Sequence, residues 1–159
     1  MGSEGALAAP RLARGCRCFA VRIDGAVAGY GWLSTGPEWI GELQLEITPN
    51  PREGYIWDCA TVPAHRRKGA FRSLLIGISE AARREGFKRL WIGTIAVPAE
   101  KVLAPSGFQP ALRFSRARVL GWQVLRVSAP FDPQLARAAR AILKPRADLL
   151  FRPLVHRAH

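Results

Sequence analysis

The residues best suited to chemistry lie in a basic loop at positions 66–69. Arg66, Arg67 and Lys68 are three adjacent cations, and Gly69 follows them just before an amphipathic helical pattern. A loop that leads from a strand into a helix N-terminus presents unpaired backbone N–H groups and the positive end of the helix dipole at one point. The loop therefore predicts a site for a phosphate or pyrophosphate group.

Acidic residues that could serve as a general base or hold a cation lie in one segment. Residues 21–60 carry two arginines and six acids, a net charge of −4, so the remaining residues sum to +16. Asp58 stands in a nearly continuous apolar run at 55–62, where a carboxylate suits a general base or, alternatively, a buried partner for an arginine. Glu42 and Glu46 fall on the polar face of a predicted strand, where they hold a cationic acceptor or are simply solvated.

Composition limits the class of protein. With 159 residues and 48% hydrophobic content, the chain suits one domain with a core. Its apolar runs are short and it lacks a signal-peptide pattern, so a cytoplasmic protein is expected. Cys16, Cys18 and Cys59 support neither a disulfide framework nor a zinc site. His156 and His159 are not expected to bind a metal.

The net charge of +12 raises the question of nucleic acid. A strongly basic surface attracts polyanions through counterion release. However, the cations are mostly arginine in a chain rich in Ala, Gly and Pro, a composition typical of GC-rich genomes, and most tryptophans fall inside predicted strands rather than between cations. A basic nucleic-acid-binding module is therefore only an alternative.

Hydrophobic periodicity predicts the elements around the loop. Two β-prone runs, at 18–23 and 26–34, flank Asp24–Gly25 and predict a hairpin. Alternation at 41–48 predicts a half-buried strand, a turn follows at 49–54, and the apolar run at 55–62 predicts a central strand. Residues 1–15 show no sustained period and are expected to be loose.

The helix after the basic loop is the clearest element. Apolar residues recur at helical spacing on one face, and Gly86 is placed to end the helix. They are Phe71, Leu74, Leu75, Ile78, Ala81 and Ala82. A buried strand follows at 88–94, parallel to the central strand at 55–62. The rest of the chain is predicted to form a short helix at 97–104, an antiparallel pair at 111–119 and 122–127, and a helix that starts at Asp132–Pro133 with an apolar stripe ending at Leu143.

These elements, in this order, with these loop residues, resemble the GNAT N-acetyltransferases. The resemblance covers residues 18–127 and is most specific at the loop, where Arg66 and Gly69 match the acetyl-CoA motif and Phe71 replaces its last small residue. It implies an α/β fold with a central mixed, mostly antiparallel twisted sheet and a βαβ core flanked by helices. It divides the chain into a loose segment at 1–17, an acetyltransferase-like domain at 18–127 and a helical extension at 128–159.

The resemblance also implies site residues and a mechanism. The pyrophosphate of acetyl-CoA lies on the backbone of the loop, and the preceding strand pairs with the pantetheine arm and polarises the thioester carbonyl. An amine then attacks the acetyl carbon directly, and a base removes its proton. Asp58 and Glu46 of the acidic segment are candidate catalytic residues. Tyr55 and Glu53, at the beginning of the strand where several relatives carry their base, are added at lower weight. The implied cofactor-binding residues are Cys59, Ala60, Thr61, Arg66, Arg67, Lys68, Gly69, Ala70, Phe71 and Arg72.

Two departures from the family pattern bear on catalysis. Leu103 stands where many relatives have the tyrosine that protonates the leaving thiolate, and Ala96 stands where they have an asparagine.

The segment before the first hairpin is short. In relatives this segment forms one wall of the acceptor pocket, so we expect the C-terminal extension or a second subunit to supply that wall. The expected function is acetyl transfer to an amine of a small molecule, peptide or protein, without a metal. The main alternative is an acyl-CoA-binding sensor.

Overall fold

The computed structural model describes residues 5–94, 97–119, 122–129 and 132–145. His156, His159 and Ala96 lie outside these residues. Among the described residues, no helix is long and apolar enough to cross a lipid bilayer. The elements in chain order are α1 (Gly5–Ala13), β1 (Arg17–Ile23), β2 (Ala26–Ser34), β3 (Glu38–Ile40), β4 (Leu45–Ile47), β5 (Glu53–Thr61), α2 (Ala70–Arg84), β6 (Arg89–Ile92), α3 (Val97–Leu103), β7 (Arg113–Val119), β8 (Trp122–Ser128), α4 (Pro133–Ala141) and β9 (Leu143–Pro145).

The chain forms two compact units. The first comprises Met1–Pro37 and Pro49–Gln109, and the second comprises Glu38–Thr48 and Pro110–His159. The basic loop and β5 belong to the first unit. Its architecture therefore positions the candidate site.

The first unit is built on a four-stranded sheet of order β1-β2-β5-β6. β1 pairs with β2 and β2 with β5 in antiparallel fashion, whereas β5 and β6 are parallel. The predicted hairpin is present, since Asp24 (φ 51°) and Gly25 (φ 80°) both adopt the left-handed conformation of a two-residue turn. This mixed, mostly antiparallel sheet confirms the fold class expected from the sequence.

Helix α2 covers one face of this sheet. Most of its predicted apolar stripe is buried, with Phe71 and Ala81 half-buried. The core of the unit consists of Leu33 and Ile56 from the sheet and Leu74, Leu75 and Ile78 from the helix. The backbone N–H groups of Gly86 (φ 80°) and Phe87 donate to the carbonyl oxygens of Arg83 and Ala82. Gly86 thus ends the helix as the sequence predicts.

The opposite face of the sheet carries tryptophans. Leu33 pairs with Ile56 and Trp32 pairs with Trp57 across β2 and β5. Since successive side chains of a strand point to opposite faces, the two tryptophans lie on the face away from α2. The sheet therefore has the core under α2 on one face and the two tryptophans on the other.

A buried carboxylate joins the start of β5 to β6. Glu53 is only 7% exposed. Its Oε1 accepts from Arg89 Nη1 at 3.0 Å, and its Oε2 accepts from Trp91 Nε1 at 2.8 Å and from Asn50 Nδ2 at 3.3 Å. Both oxygens are therefore engaged in holding the parallel pair in register.

The second unit contains two separate small sheets. β3, β4 and β9 form one and β7 and β8 form the other. Helix α4 begins where predicted, because the Oδ1 of Asp132 accepts from the backbone N–H groups of Gln134 (2.8 Å) and Leu135 (3.3 Å). Ala136 and Ala139 are its buried residues, and Ile142, just after the helix, is buried as well.

Three predictions about the elements were wrong. Residues 41–44 form a turn rather than half of a strand, because the N–H of Leu43 donates to Ile40 and that of Gln44 (φ 54°) donates to Gly41. Residues 5–13, expected to be loose, form α1. The helical stripe expected to reach Leu143 stops at Ala141, and Leu143–Pro145 pairs with β4 as β9.

Replacing Glu53 by alanine is expected to destabilise the first unit by about 2–3 kcal/mol, because the buried Trp91 N–H loses its acceptor. The measurement is urea unfolding followed by tryptophan fluorescence. Glu80→Ala, on the exposed side of α2, is the matched control and should change stability by less than about 0.5 kcal/mol. Equal effects of the two variants would show that Glu53 does not hold the strands together.

Candidate active site

The site begins where β5 and β6 separate. The two strands are paired from Glu53–Arg89 to Ile56–Ile92, and within the described residues no strand pairs with β5 on that side beyond Ile56. β5 itself continues to Thr61 and remains paired with β2. The main-chain groups of its second half therefore face an open edge that an extended ligand could pair with.

A bulge in β5 marks this point. Asp58 has φ 44°, and the register between β2 and β5 shifts so that Asp58 and Cys59 both stand opposite Gly31. A Cβ atom at Gly31 would lie 2.7 Å from the Cys59 Sγ. Glycine is therefore required opposite the bulge.

The basic loop follows directly and presents an unusual run of free donors. Residues 66–69 form a turn, and within the part of the chain that the structure describes the six consecutive backbone N–H groups of residues 67–72 make no hydrogen bond of normal geometry. Arg67 (φ 60°) and Gly69 (φ 81°) are both left-handed, a backbone geometry typical of anion-binding loops. The 15-residue helix α2 adds its dipole at the same place.

The side chains of the loop divide into two groups. Arg66, Arg67, Lys68 and Arg72 are exposed to solvent, and Arg66 Nε donates to the Thr61 carbonyl at 3.4 Å. Ala70 is buried, and Phe71 packs against the core. The aromatic side chain thus turns inward, and the loop offers an anion its backbone and its cations.

Asp58 is not the buried carboxylate that the sequence suggested. Its side chain is 38% exposed, and its Oδ2 accepts from Arg11 Nη1 of α1 at 2.5 Å. The positive φ of the bulge changes the direction of the side chain relative to a regular strand. Of the two roles that the sequence left open, the structure shows the arginine partner, at the surface rather than in the core.

Arg11 also contacts both tryptophans on this face. Its Cζ lies 5.0 Å from the ring centroid of Trp32 and 4.4 Å from that of Trp57. Sequence reasoning missed these three residues as part of the site. Arg11 is 47 positions from Asp58, and without a predicted α1 no pattern connects them.

Tyr55 and Glu46 lie in different units. Tyr55 is buried in β5 opposite Trp91, and a Cβ atom at Gly93 would lie 3.6 Å from its hydroxyl oxygen. Glu46 is half-buried in β4, where its Oε1 accepts from the Thr48 hydroxyl at 3.2 Å. Glu42, the other acid of that segment, lies in the turn before β4.

Cys59 packs on the aliphatic side of the sheet. It contacts the core under α2, and its thiol lies 3.7 Å from the Trp57 carbonyl oxygen. Burial, with a smaller contribution from the Asp58 carboxylate, raises the pKa of the Cys59 thiol from 9.0 to about 12. The thiol is therefore protonated near neutral pH, which argues against a role as nucleophile.

No group of three or more histidine, cysteine or acidic side chains suited to a metal ion occurs among the described residues. What the geometry offers instead is an open strand edge, a bulge, and a main-chain anion site one after another along the chain. This order suits a long ligand with a phosphate group and an extended arm. It is a candidate site for such a ligand.

Comparison with known proteins identifies the family of this chain. The model of the acetyltransferase (GNAT) family matches residues 4–104, and the chain belongs to this family. A search of curated protein sequences found no significant match.

Solved structures of acetyltransferases share the fold at low identity. A Trypanosoma brucei acetyltransferase is 19% identical with a TM-score of 0.50, over 72% of this chain and 77% of that one. A Bacillus subtilis acetyltransferase in complex with CoA is 17% identical with a TM-score of 0.51, over 72% and 64%. The aminoglycoside N-acetyltransferase AAC(6')-Iy, in complex with a bisubstrate analogue of CoA and acetylneamine, is 16% identical with a TM-score of 0.52, over 74% and 81%.

The raised pKa of Cys59 makes a prediction about stability at alkaline pH. Above about pH 9 the unfolded chain loses the thiol proton while the folded chain keeps it, so folding stability falls as the pH rises. From about pH 9.5 to about pH 11, wild type should lose roughly 1.4 kcal/mol per pH unit more than Cys59→Ala. Urea unfolding of both proteins across this range measures the difference. Parallel curves would show that the folded thiol titrates normally.

Proposed function

We propose that the protein is an N-acetyltransferase that transfers the acetyl group of acetyl-CoA to an amine. The observation that carries this proposal is the run of six unbonded N–H groups at 67–72, directly after the open edge of β5. Membership of the GNAT family supports acetyl transfer in general. The acceptor, a cytoplasmic location and a homodimer remain predictions.

Residues of β5 and of the basic loop are placed to bind the pantetheine arm and the pyrophosphate of acetyl-CoA. The backbone N–H groups of residues 67–72 would bind the pyrophosphate, with Arg66, Arg67, Lys68 and Arg72 adding positive charge. Cys59, Ala60 and Thr61 would pair with the pantetheine arm, because their main chain borders the open edge. The burial of Ala70 and the inward packing of Phe71 support a role for their backbone only.

The chemistry follows from this placement. Acetyl-CoA supplies a thioester whose acetyl carbon a neutral amine can attack, and the C–S bond breaks as the C–N bond forms. A main-chain N–H on the open edge beside Cys59 would hydrogen-bond the thioester oxygen as negative charge develops there. The proton of the amine passes to a base. Asp58 is the candidate that stands on the open part of β5. Arg11 Nη1 donates to its Oδ2, so Oδ1 is the oxygen that would accept the proton.

Tyr55 and Glu46 remain alternatives as the base. Tyr55 lies beside Gly93, just after the last paired residue of β6. Glu46 belongs to the other unit. Tyr55 stands in the part of β5 that is paired with β6, whereas Asp58 stands beyond it, which favours Asp58 over Tyr55.

A sensor that binds acetyl-CoA without efficient turnover is the second candidate. Leu103, at the position where the resemblance implies a general-acid tyrosine, packs against the core and has no proton to donate. A CoA thiolate is a stable leaving group, so we favour turnover without an acid at this position.

A loop variant tests the cofactor site. Arg67→Ala/Lys68→Ala is expected to weaken acetyl-CoA binding roughly tenfold, since two charge-assisted contacts are lost, and to leave acetyl-pantetheine binding unchanged, because that ligand lacks the pyrophosphate. Isothermal calorimetry measures both. The matched control is Arg83→Ala/Arg84→Ala, which removes the same charge from the other end of α2. A similar loss in the control would indicate a general charge effect instead of a site.

An amine panel tests turnover. With acetyl-CoA and a suitable amine, the wild-type protein should release free CoA, which is measured with a thiol reagent. Without an amine it should release none. Asp58→Asn should abolish this release while acetyl-CoA affinity is kept. Release by no amine, together with tight acetyl-CoA binding, would favour the sensor.

A further inference from the structure

We propose that Trp32, Trp57 and Asp58, here called the tryptophan cage, bind a guanidinium group of the acceptor, and that Arg11 fills the cage in its absence. The inference rests on the proposed function and names the substrate class of that site. The acceptor is then an amine that also carries a guanidinium group, such as an arginine derivative with a free α-amine.

The cage is built for a planar cation. Arg11 places its guanidinium carbon within 5.0 Å of both ring centroids and one nitrogen on the Asp58 carboxylate, and its side chain is only 14% exposed. A cation over two indole rings is attracted by both, more strongly when water is excluded. Guanidinium is planar and weakly hydrated, so it suits such a position better than an ammonium group does.

The helix that supplies Arg11 is weakly held. Between Ala6 and Ala13 every side chain is exposed except Ala8 and Arg11, and Leu7 and Leu12 are 51% and 56% exposed. Apart from the indole faces under Arg11, removing α1 from the sheet therefore uncovers little apolar surface. Cys16, 2% exposed, anchors the chain just beyond it, and Gly15 (φ 83°) lies between the two. The guanidinium is thus the main attachment of α1 to this face.

The cage lies next to the proposed acetyl position. Trp57 and Asp58 directly precede Cys59 on β5, and residues two apart on a strand are separated by about 6.6 Å. An arginine side chain spans that distance. A ligand anchored in the cage by its guanidinium can therefore place its α-amine at the open edge.

Trp57 of the cage also carries an unsatisfied donor. The Nε1 of Trp57 is buried and has no hydrogen-bond partner among the described residues. A buried N–H without an acceptor is costly, by about 1–3 kcal/mol. A ligand with a carbonyl oxygen would satisfy it, and an arginine derivative carries one. This favours an amino acid or peptide backbone attached to the guanidinium.

The test removes the Arg11 side chain from the tryptophan cage and measures the binding of small cationic ligands. In the 159-residue chain, Arg11→Ala should bind L-argininamide roughly tenfold more tightly than wild type, because it no longer competes with its own side chain. L-citrullinamide, which has the same shape without the charge, should show no gain, and L-lysinamide should gain less. Calorimetry without acetyl-CoA measures binding. Asp58→Asn in the Arg11→Ala background should remove the gain, and circular dichroism checks the fold of each variant.

Kinetics separate binding from chemistry. If the protein acetylates argininamide, Arg11→Ala should lower its KM roughly tenfold. Equal binding of argininamide to wild type and Arg11→Ala, or an equal gain with citrullinamide or lysinamide, would overturn the proposal. Failure to consume acetyl-CoA would instead overturn the proposed function and leave the binding result standing.

Discussion

The bulge at Asp58 is the constraint on which the rest of the first unit depends. β5 must remain paired with β2 along its length and yet leave β6 after Ile56. The extra residue opposite Gly31 lets it do both, since a bulge bends and twists only the strand that contains it. Without this bend the edge of β5 would be sealed by a neighbouring strand, and neither an extended ligand nor the exposed Asp58 carboxylate would have its place.

The two faces of the central sheet do different work. Under α2 the aliphatic core fixes the helix, and with it the direction of its N-terminus and of the unbonded N–H groups at 67–72. On the other face, tryptophans and an exposed carboxylate surround a cation. An acyl carrier and a cationic acceptor would then meet at β5 from separate surfaces, each formed by side chains that the other does not need.

Sequence patterns predicted the elements with a strong period and little else. The helix from Ala70 to Arg84 and the hairpin at Asp24–Gly25 follow from local periodicity and turn chemistry, which act over a few residues. The bulge at Asp58 could not be foreseen, because it results from register against β2 and from the space that Gly31 leaves. The contact of Arg11 with Asp58 joins residues 47 positions apart and needs a helix too short and too exposed to show a period.

The burial of Cys59 protects the protein from acylation of its own thiol. A thiolate beside a thioester would take the acyl group for itself and leave the protein acylated on its own strand, because thiols exchange with thioesters more readily than amines attack them. Packing against Gly31 and the core keeps this sulfur protonated and turned away from the open edge. The strand can therefore carry a nucleophilic atom at the reaction centre and still leave the acyl group to the acceptor.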